Sequence, residues 1–283
     1  MKFSLPEADV FVPDGSLDPE AALARTTHLC IGAHQDDIEI MAYHGIAACF
    51  GRTDRWFSGV VVTNGAGSPR TGVYGNYTDA AMLAVRRREQ RKAAYVGDYS
   101  VQIQLAHPSS SAKDPRNPAI QADLGQILAA CSPRVVYLHQ PADKHDTHVA
   151  VLAHCLKALR ALPAERRPER VLGCEVWRDL DWVCDAEKQL LDVGAYPNLA
   201  ASLVGLFDSQ ITGGKRYDLA SAGRRLANAT YAASHATDEY QAISWAVDLT
   251  PLVRNPALSV RDFTLGLIAR FQEDVADRLG KFF

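Results

Sequence analysis

His34-Gln-Asp36-Asp37 places one imidazole and two carboxylates directly after the apolar run His28–Ala33, where a strand should give way to a helix. If a helix begins at 36, His34 precedes its first turn and the two carboxylates sit within it with diverging side chains. One can then bind a metal with His34 while the other handles a proton. A second cluster, Asp143-Lys-His145-Asp-Thr-His148, follows another predicted strand and opens another predicted helix. His145 and His148, three apart, can face one direction, and His148 could complete a His/Asp/His site with His34 and Asp37. Three nitrogen and oxygen ligands with one open position describe a catalytic Zn2+ site rather than a structural one. Such an ion lowers the pKa of its bound water to about 7 and polarises a carbonyl. Each cluster alone has a plainer reading, as a satisfied strand-end histidine or an aspartate N-cap. Two such clusters at equivalent strand ends weigh against it.

The elements that would carry these clusters alternate. Strands are expected at 27–33, 57–63, 101–106 and 134–139, and helices at 38–50, 79–96 and 120–130. Asp79 near the start and Gly97 at the end cap the longest of these helices. Repeated β-α units imply a mostly parallel sheet with helices on both faces, and ligands of such sheets bind outside the carboxyl ends of the strands. That rule puts both clusters on one rim. Further on, 149–162 is expected as a helix and 171–177 as a strand, with 186–204 and 220–234 mainly helical. Residues 235–283 read as an added helical cap or an oligomer contact.

A chain of 283 residues with 47% hydrophobic and 22% charged content fits a single α/β domain spanning 1–283. Its core lies at about 27–240, with 241–283 as a C-terminal extension. A net charge of −3 gives no nucleic-acid footprint. The first residues lack a basic start and apolar core, and no apolar run nears the roughly 18 residues of a membrane span. Six dispersed cysteines, without a CxxC pair, read as buried free thiols of a cytoplasmic protein.

Taken together, the motifs resemble the PIG-L/LmbE-like zinc N-deacetylases, whose signatures are Ala-His-Pro-Asp-Asp-Glu and roughly His-Pro-Asp-His. Here they stand as Ala33-His34-Gln35-Asp36-Asp37 and His145-Asp146-Thr147-His148. Thr63-Asn64-Gly65, Arg86-x-x-Glu89 with Ala93-Ala94, and Ser209-Gln210 add to the likeness, which covers about residues 27–240. The resemblance implies a Rossmann-like fold with its site at the carboxyl rim. It implies that His34, Asp37 and His148 hold zinc, for which Fe2+ or Co2+ could substitute. It further implies that Asp36 is the general base toward a zinc-activated water. His145 would sit beside the carbonyl, stabilising the oxyanion or assisting the leaving amine when protonated. Gln35 replaces the usual proline, Ile38 takes the common glutamate position with Glu39 one step later, and His44 replaces a common glycine. Thr147 stands where the second signature has aspartate, which leaves the partner of His145 open.

Candidate substrate-binding residues are Arg86, Asn64, Arg70 and Tyr74. Arg86 matches the family position but could equally serve in an ion pair fixing its helix. The others lie on the long loop 64–77, which could hydrogen-bond a sugar or merely connect elements. Gly65-Ala-Gly67 is too short a pattern for dinucleotide binding. His44 is read as packing on its helix, and Trp177 and Trp182 as core rather than pocket. The expected function is removal of an N-acetyl or small N-acyl group from an amino-sugar-containing small molecule. Alternatives are an amidase for a thiol conjugate or other non-sugar amide, and a non-catalytic metal-containing binding module. The expected partner is a small N-acylated substrate, with no nucleic acid or membrane, and homo-oligomerisation stays open.

Overall fold

Phe57–Thr63 is buried at every position, and a strand can hide seven successive side chains only when both faces of its sheet are covered. In a computed structural model describing residues 1–283, this strand lies at the heart of one eight-stranded sheet. The first half runs β1 (Asp9–Phe11), α1 (Pro19–Ala24), β2 (His28–Gly32), α2 (Asp37–Met41), α3 (Tyr43–Cys49), β3 (Phe57–Thr63), α4 (Asp79–Val96), β4 (Val101–His107), α5 (Ser109–Ala112), α6 (Pro118–Ala130) and β5 (Val135–His139). It continues with α7 (Asp146–Ala161), β6 (Arg170–Cys174), β7 (Lys188–Asp192), α8 (Pro197–Gly205), α9 (Asp208–Ile211), α10 (Tyr217–Tyr231), β8 (Ile243–Asp248), α11 (Thr250–Arg254) and α12 (Val260–Leu279).

Strand order is β1-β4-β3-β2-β5-β6-β8-β7. The stretch from β4 to β6 is parallel, while β1, β8 and β7 join antiparallel. Alternate side chains feed two apolar clusters, with Leu29, Ile31, Val60 and Val62 in one and Cys30 and Val61 in the other. That alternation assigns the clusters to opposite faces of the sheet. The order steps outward from β2 through β3 to β4, then restarts at β5 on the other side of β2. The reversal between β2 and β5 is the topological switch point of an open α/β sheet, and it lies at the ends of the strands that lead into the two histidine clusters.

Three expectations need correction. The helix expected at 38–50 is broken at Ala42 (φ −113°, ψ 19°). There the Arg225 guanidinium takes the carbonyls of Glu39 and Ile40 at 2.8 and 3.0 Å, satisfying groups that a longer helix would have paired internally. Residues 186–204 are not mainly helical, because Lys188–Asp192 pairs with β8, and Gly194 and Pro197 delay the helix. Local propensity favours helix there, and sheet pairing overrides it. The C-terminal segment supplies β8 between β6 and β7 before its helices begin, so it completes the sheet as well as adding to it. All six cysteines are free, five of them buried and Cys184 half-buried. No helix is long and apolar enough to cross a membrane.

Candidate active site

The switch point brings the two clusters together. Beyond β2, the Ala33 N–H donates to His139 Nε2 at the end of β5 (2.9 Å), tying the two strand ends. Asp37 opens α2 and accepts the His34 N–H at 2.7 Å. Around its carboxylate stand His34 Nδ1 (3.3 Å), His148 Nε2 (3.4 Å) and His139 Nε2 (3.4 Å). His34 Nδ1 and His148 Nε2 are themselves 3.2 Å apart. Burial alone would push Asp37 up, but the surrounding histidines hold its carboxyl well below the usual range.

Ligand atoms of His34, Asp37 and His148 lie within 4.8 Å of one another, so the three residues are close enough to share one ion. The donor set fits a divalent metal in a further respect. Asp143 Oδ2 is 3.2 Å from His148 Nδ1, which fixes that ring with Nε2 turned to the other two ligands. Asp143, which precedes the signature, braces His148 through Oδ2, and its Oδ1 accepts the His145 backbone N–H at 3.1 Å, while the His145 ring receives no carboxylate. His145 Nδ1 is buried without a partner. Burial, reinforced by His148 and His34, lowers this imidazole to about 4, so it is neutral at neutral pH.

Asp36, one residue from Asp37, has the opposite environment. Burial raises it to about 7 against the pull of Arg86, whose Nη1 lies 3.2 Å from Asp36 Oδ2. Its backbone sits at φ +86°, a conformation unusual for any residue but glycine. Four hydrogen bonds hold that turn. Arg86 Nη2 donates to the Gln35 carbonyl (2.6 Å), the Asp36 N–H donates to Gln90 Oε1 (3.3 Å), and Gln35 Nε2 reaches the Thr63 carbonyl (3.3 Å) and Gln104 Oε1 (3.2 Å). Gln35 thus ties the turn to β3 and β4 through its side chain, in place of the ring restraint a proline would give. Behind it, Glu39 Oε1 accepts from Gln90 and from Tyr99, each at 2.8 Å, and burial raises Glu39 to about 8.

His34, Asp36, Asp37 and His145 line a cavity of about 690 Å3, within the size range of small-molecule sites. The cavity is also lined by Glu175 and Trp177 beyond β6, Lys215 before α10, and Tyr217 and Arg225 on α10. Burial raises the Tyr217 phenol, and the charges of Asp36 and Asp37 add to the shift.

Of the candidate substrate residues, only Arg86 lines this cavity. Asn64 Oδ1 accepts the Ala66 N–H (3.1 Å) within its own turn. Arg70 donates to the Tyr77 carbonyl (2.9 Å) and pairs with Asp79, while Tyr74 donates to Asp208 (2.6 Å). Asn64, Arg70 and Tyr74 therefore stitch the loop to itself, to α4 and to α9, a correction to their expected place. His44 packs as read, bonded to the Tyr137 hydroxyl at 2.8 Å. Trp177 packs against one apolar cluster, as read, and also lines the cavity, whereas Trp182 packs against the other cluster alone. Glu89 and Ser209 pair with each other, the serine donating to the carboxylate at 2.6 Å. Sequence reasoning did not single out His139, Glu175, Lys215, Tyr217 or Arg225. A polar residue ending a buried strand was the available signal for His139. The other four stand singly in unremarkable contexts.

Residues 29–159 carry a domain matching the family described as PIG-L: GlcNAc-PI de-N-acetylase. The match spans both signatures and supports, in general, a metal-dependent N-deacetylase. No curated protein sequence matches the chain. Among solved structures, the conserved protein TT1542 from Thermus thermophilus aligns with a TM-score of 0.58 at 16% identity, over 83% of this chain and 99% of that one. The N,N'-diacetylchitobiose deacetylase from Pyrococcus horikoshii gives 0.57 at 14% identity, over 78% and 83%. GalB, the 4-carboxy-2-hydroxymuconate hydratase from Pseudomonas putida, gives 0.55 at 15%, over 79% and 96%. These likenesses establish the fold, which serves a hydratase as well as a deacetylase.

Proposed function

We propose that the chain is a cytoplasmic hydrolase that removes an N-acetyl or small N-acyl group from an amino-sugar-containing small molecule, using a divalent metal held by His34, Asp37 and His148. One observation carries this reading. Two members of a His/Asp/His ligand set, His34 and Asp37, line the same cavity as a second carboxylate, Asp36, whose proton affinity is matched to neutral pH, and His148 completes the set from behind them. Zn2+, or Fe2+ or Co2+ in the same ligands, would polarise the amide carbonyl and make water more acidic.

Asp36 takes the proton from the attacking water. Arg86 Nη1 holds its carboxylate and favours the ionised form, and the turn at φ +86° sets its direction. His145, neutral and beside His34 with ring centroids 5.0 Å apart, offers an N–H to the developing oxyanion rather than a full charge. Asp36 then returns its proton to the departing amine nitrogen, so that acid and amine leave with atoms and charge in balance.

Glu175, Tyr217, Ser221 and Arg225 among the lining residues offer hydrogen-bonding groups suited to a hydroxylated substrate. The six free cysteines are consistent with a reducing compartment. Acetate release by the zinc-loaded protein across acetylated amino sugars and thiol-conjugate amides tests the assignment. Turnover of the sugars is expected. Hydrolysis of the conjugates alone, or of neither group, would overturn it.

A further inference from the structure

We infer that Glu175 and Arg225 form a second recognition pole of the same cavity, one that takes a pair of neighbouring hydroxyl groups on the substrate. The inference deepens the deacetylase reading and rests on it for the identity of the scissile amide.

Glu175 follows the last residue of β6 and is only 4% exposed. Its Oε1 accepts from Asn228 Nδ2 (2.6 Å) and from the Trp245 N–H (3.1 Å), while its Oε2 is buried with no partner in the protein. A buried polar atom left unpaired loses its hydration without recompense, the more so when it is charged. An orphan carboxylate oxygen on a residue that lines a cavity is therefore a place for a donor that arrives with a ligand.

Arg225 supplies the complementary half. It lies three residues before Asn228 on α10, on the helix face that meets Glu175. Its Nη2 is spent on the Glu39 and Ile40 carbonyls, and its guanidinium stacks over the Tyr43 ring at 5.0 Å. The fork is thus immobilised, and Nη1 and Nε make no bond within the protein. Ser221, one turn earlier on the same face, also lines the cavity.

A fixed acceptor beside a fixed donor selects among ligand groups. A substrate ammonium would suit Glu175 but meet the charge of Arg225, and a carboxylate or phosphate would suit Arg225 but meet Glu175. Hydroxyls both donate and accept, so two adjacent ones satisfy both residues without repulsion. The remaining cations of this wall are engaged elsewhere. Lys215 Nζ sits over the Trp177 ring at 5.1 Å, and Arg224 donates to the Val176 carbonyl.

Glu175→Gln keeps an acceptor for Asn228 and Trp245 but replaces the orphan acceptor with a donor. Ser221→Leu narrows the pole without touching those braces, and thermal denaturation verifies that both variants fold. The probes are methyl 2-acetamido-2-deoxyglucoside, which has neighbouring hydroxyls, and N-acetylcyclohexylamine, which carries the same amide on a ring with none. Calorimetric Kd values are measured on zinc-loaded protein, with acetate release followed in parallel. Wild type should prefer the glucoside, and each variant should weaken glucoside binding by about tenfold, equivalent to about 1.4 kcal/mol, while moving the other probe less than about twofold. The inference is overturned if wild type shows no preference, if the variants retain it, or if both probes weaken together. Glu175-dependent binding without acetate release would sink the deacetylase reading alone. Equal turnover of both probes by all three proteins would sink the hydroxyl pole alone.

Discussion

Two walls enclose the same cavity and are encoded in different ways. The wall at the ends of β2 and β5 is written as contiguous motifs, His34 to Asp37 and Asp143 to His148, because a metal and a base must be set within a few ångströms by one short turn each. The wall from β6, β8 and α10 is assembled from single residues, Glu175, Lys215, Tyr217 and Arg225, separated by intervening elements. Chemistry that depends on adjacent atoms leaves a local pattern in a sequence. Recognition spread over a surface does not.

The largest expected difference between the walls concerns metal retention. Asp143→Asn should weaken metal affinity by roughly 10–100-fold, because the brace on His148 Nδ1 is lost, whereas Glu175→Gln should leave it unchanged. Competition with a chelator measures both. A comparable loss in Glu175→Gln would mean that the two walls are not separable.

The pH profile sharpens the contrast. Asp36 acts as a base only when ionised, so kcat/KM should rise with pH through about 7. Arg86 restrains that value, and Arg86→Met should move the rising limb to higher pH. Glu175→Gln should lower kcat/KM for a hydroxylated substrate without moving the limb.

Glu39, behind the first wall, bears on stability and has the least effect on the chemistry of the site. Its folded value of about 8 lies above its ordinary 4.5, so its contribution to stability is full below pH 4.5 and is lost as pH rises to about 8. Glu39→Gln removes that dependence while keeping acceptors for Gln90 and Tyr99. The difference in Tm between variant and wild type should therefore grow in the variant's favour from pH 5 to pH 8, by about 2–4 °C for each kcal/mol gained. A difference independent of pH would place the Glu39 proton elsewhere.

The same division governs what the sequence disclosed. β3 and α4 lie where periodicity puts them, although the N-cap of α4 is Thr78 rather than Asp79, and the switch-point rim follows from the β-α repeat. β7 and β8 were missed because Lys188–Asp192 is rich in helix-tolerant residues and becomes a strand only through pairing with a segment some fifty positions later, as in Leu191 with Ser244. Arg70 and Tyr74 were expected in the site because their loop lies on the active rim. Their partners Asp79 and Asp208, supplied by the folded chain, turn them to structural use. The role of Asp143 was hidden for a different reason. It stands two residues before His145 and five before His148, so spacing alone points to the nearer ring, and only the geometry shows that it serves His148.

The division of labour between the neighbouring carboxylates is the centre of this account, and Asp36→Asn tests it most directly. Metal content and acetate release are measured on the same purified samples of wild type and variant. The prediction is one divalent ion per chain in both proteins, with turnover in the variant reduced by about 100- to 10,000-fold. Near-normal turnover in the variant, or loss of its metal, would contradict the assignment of Asp37 as ligand and Asp36 as base.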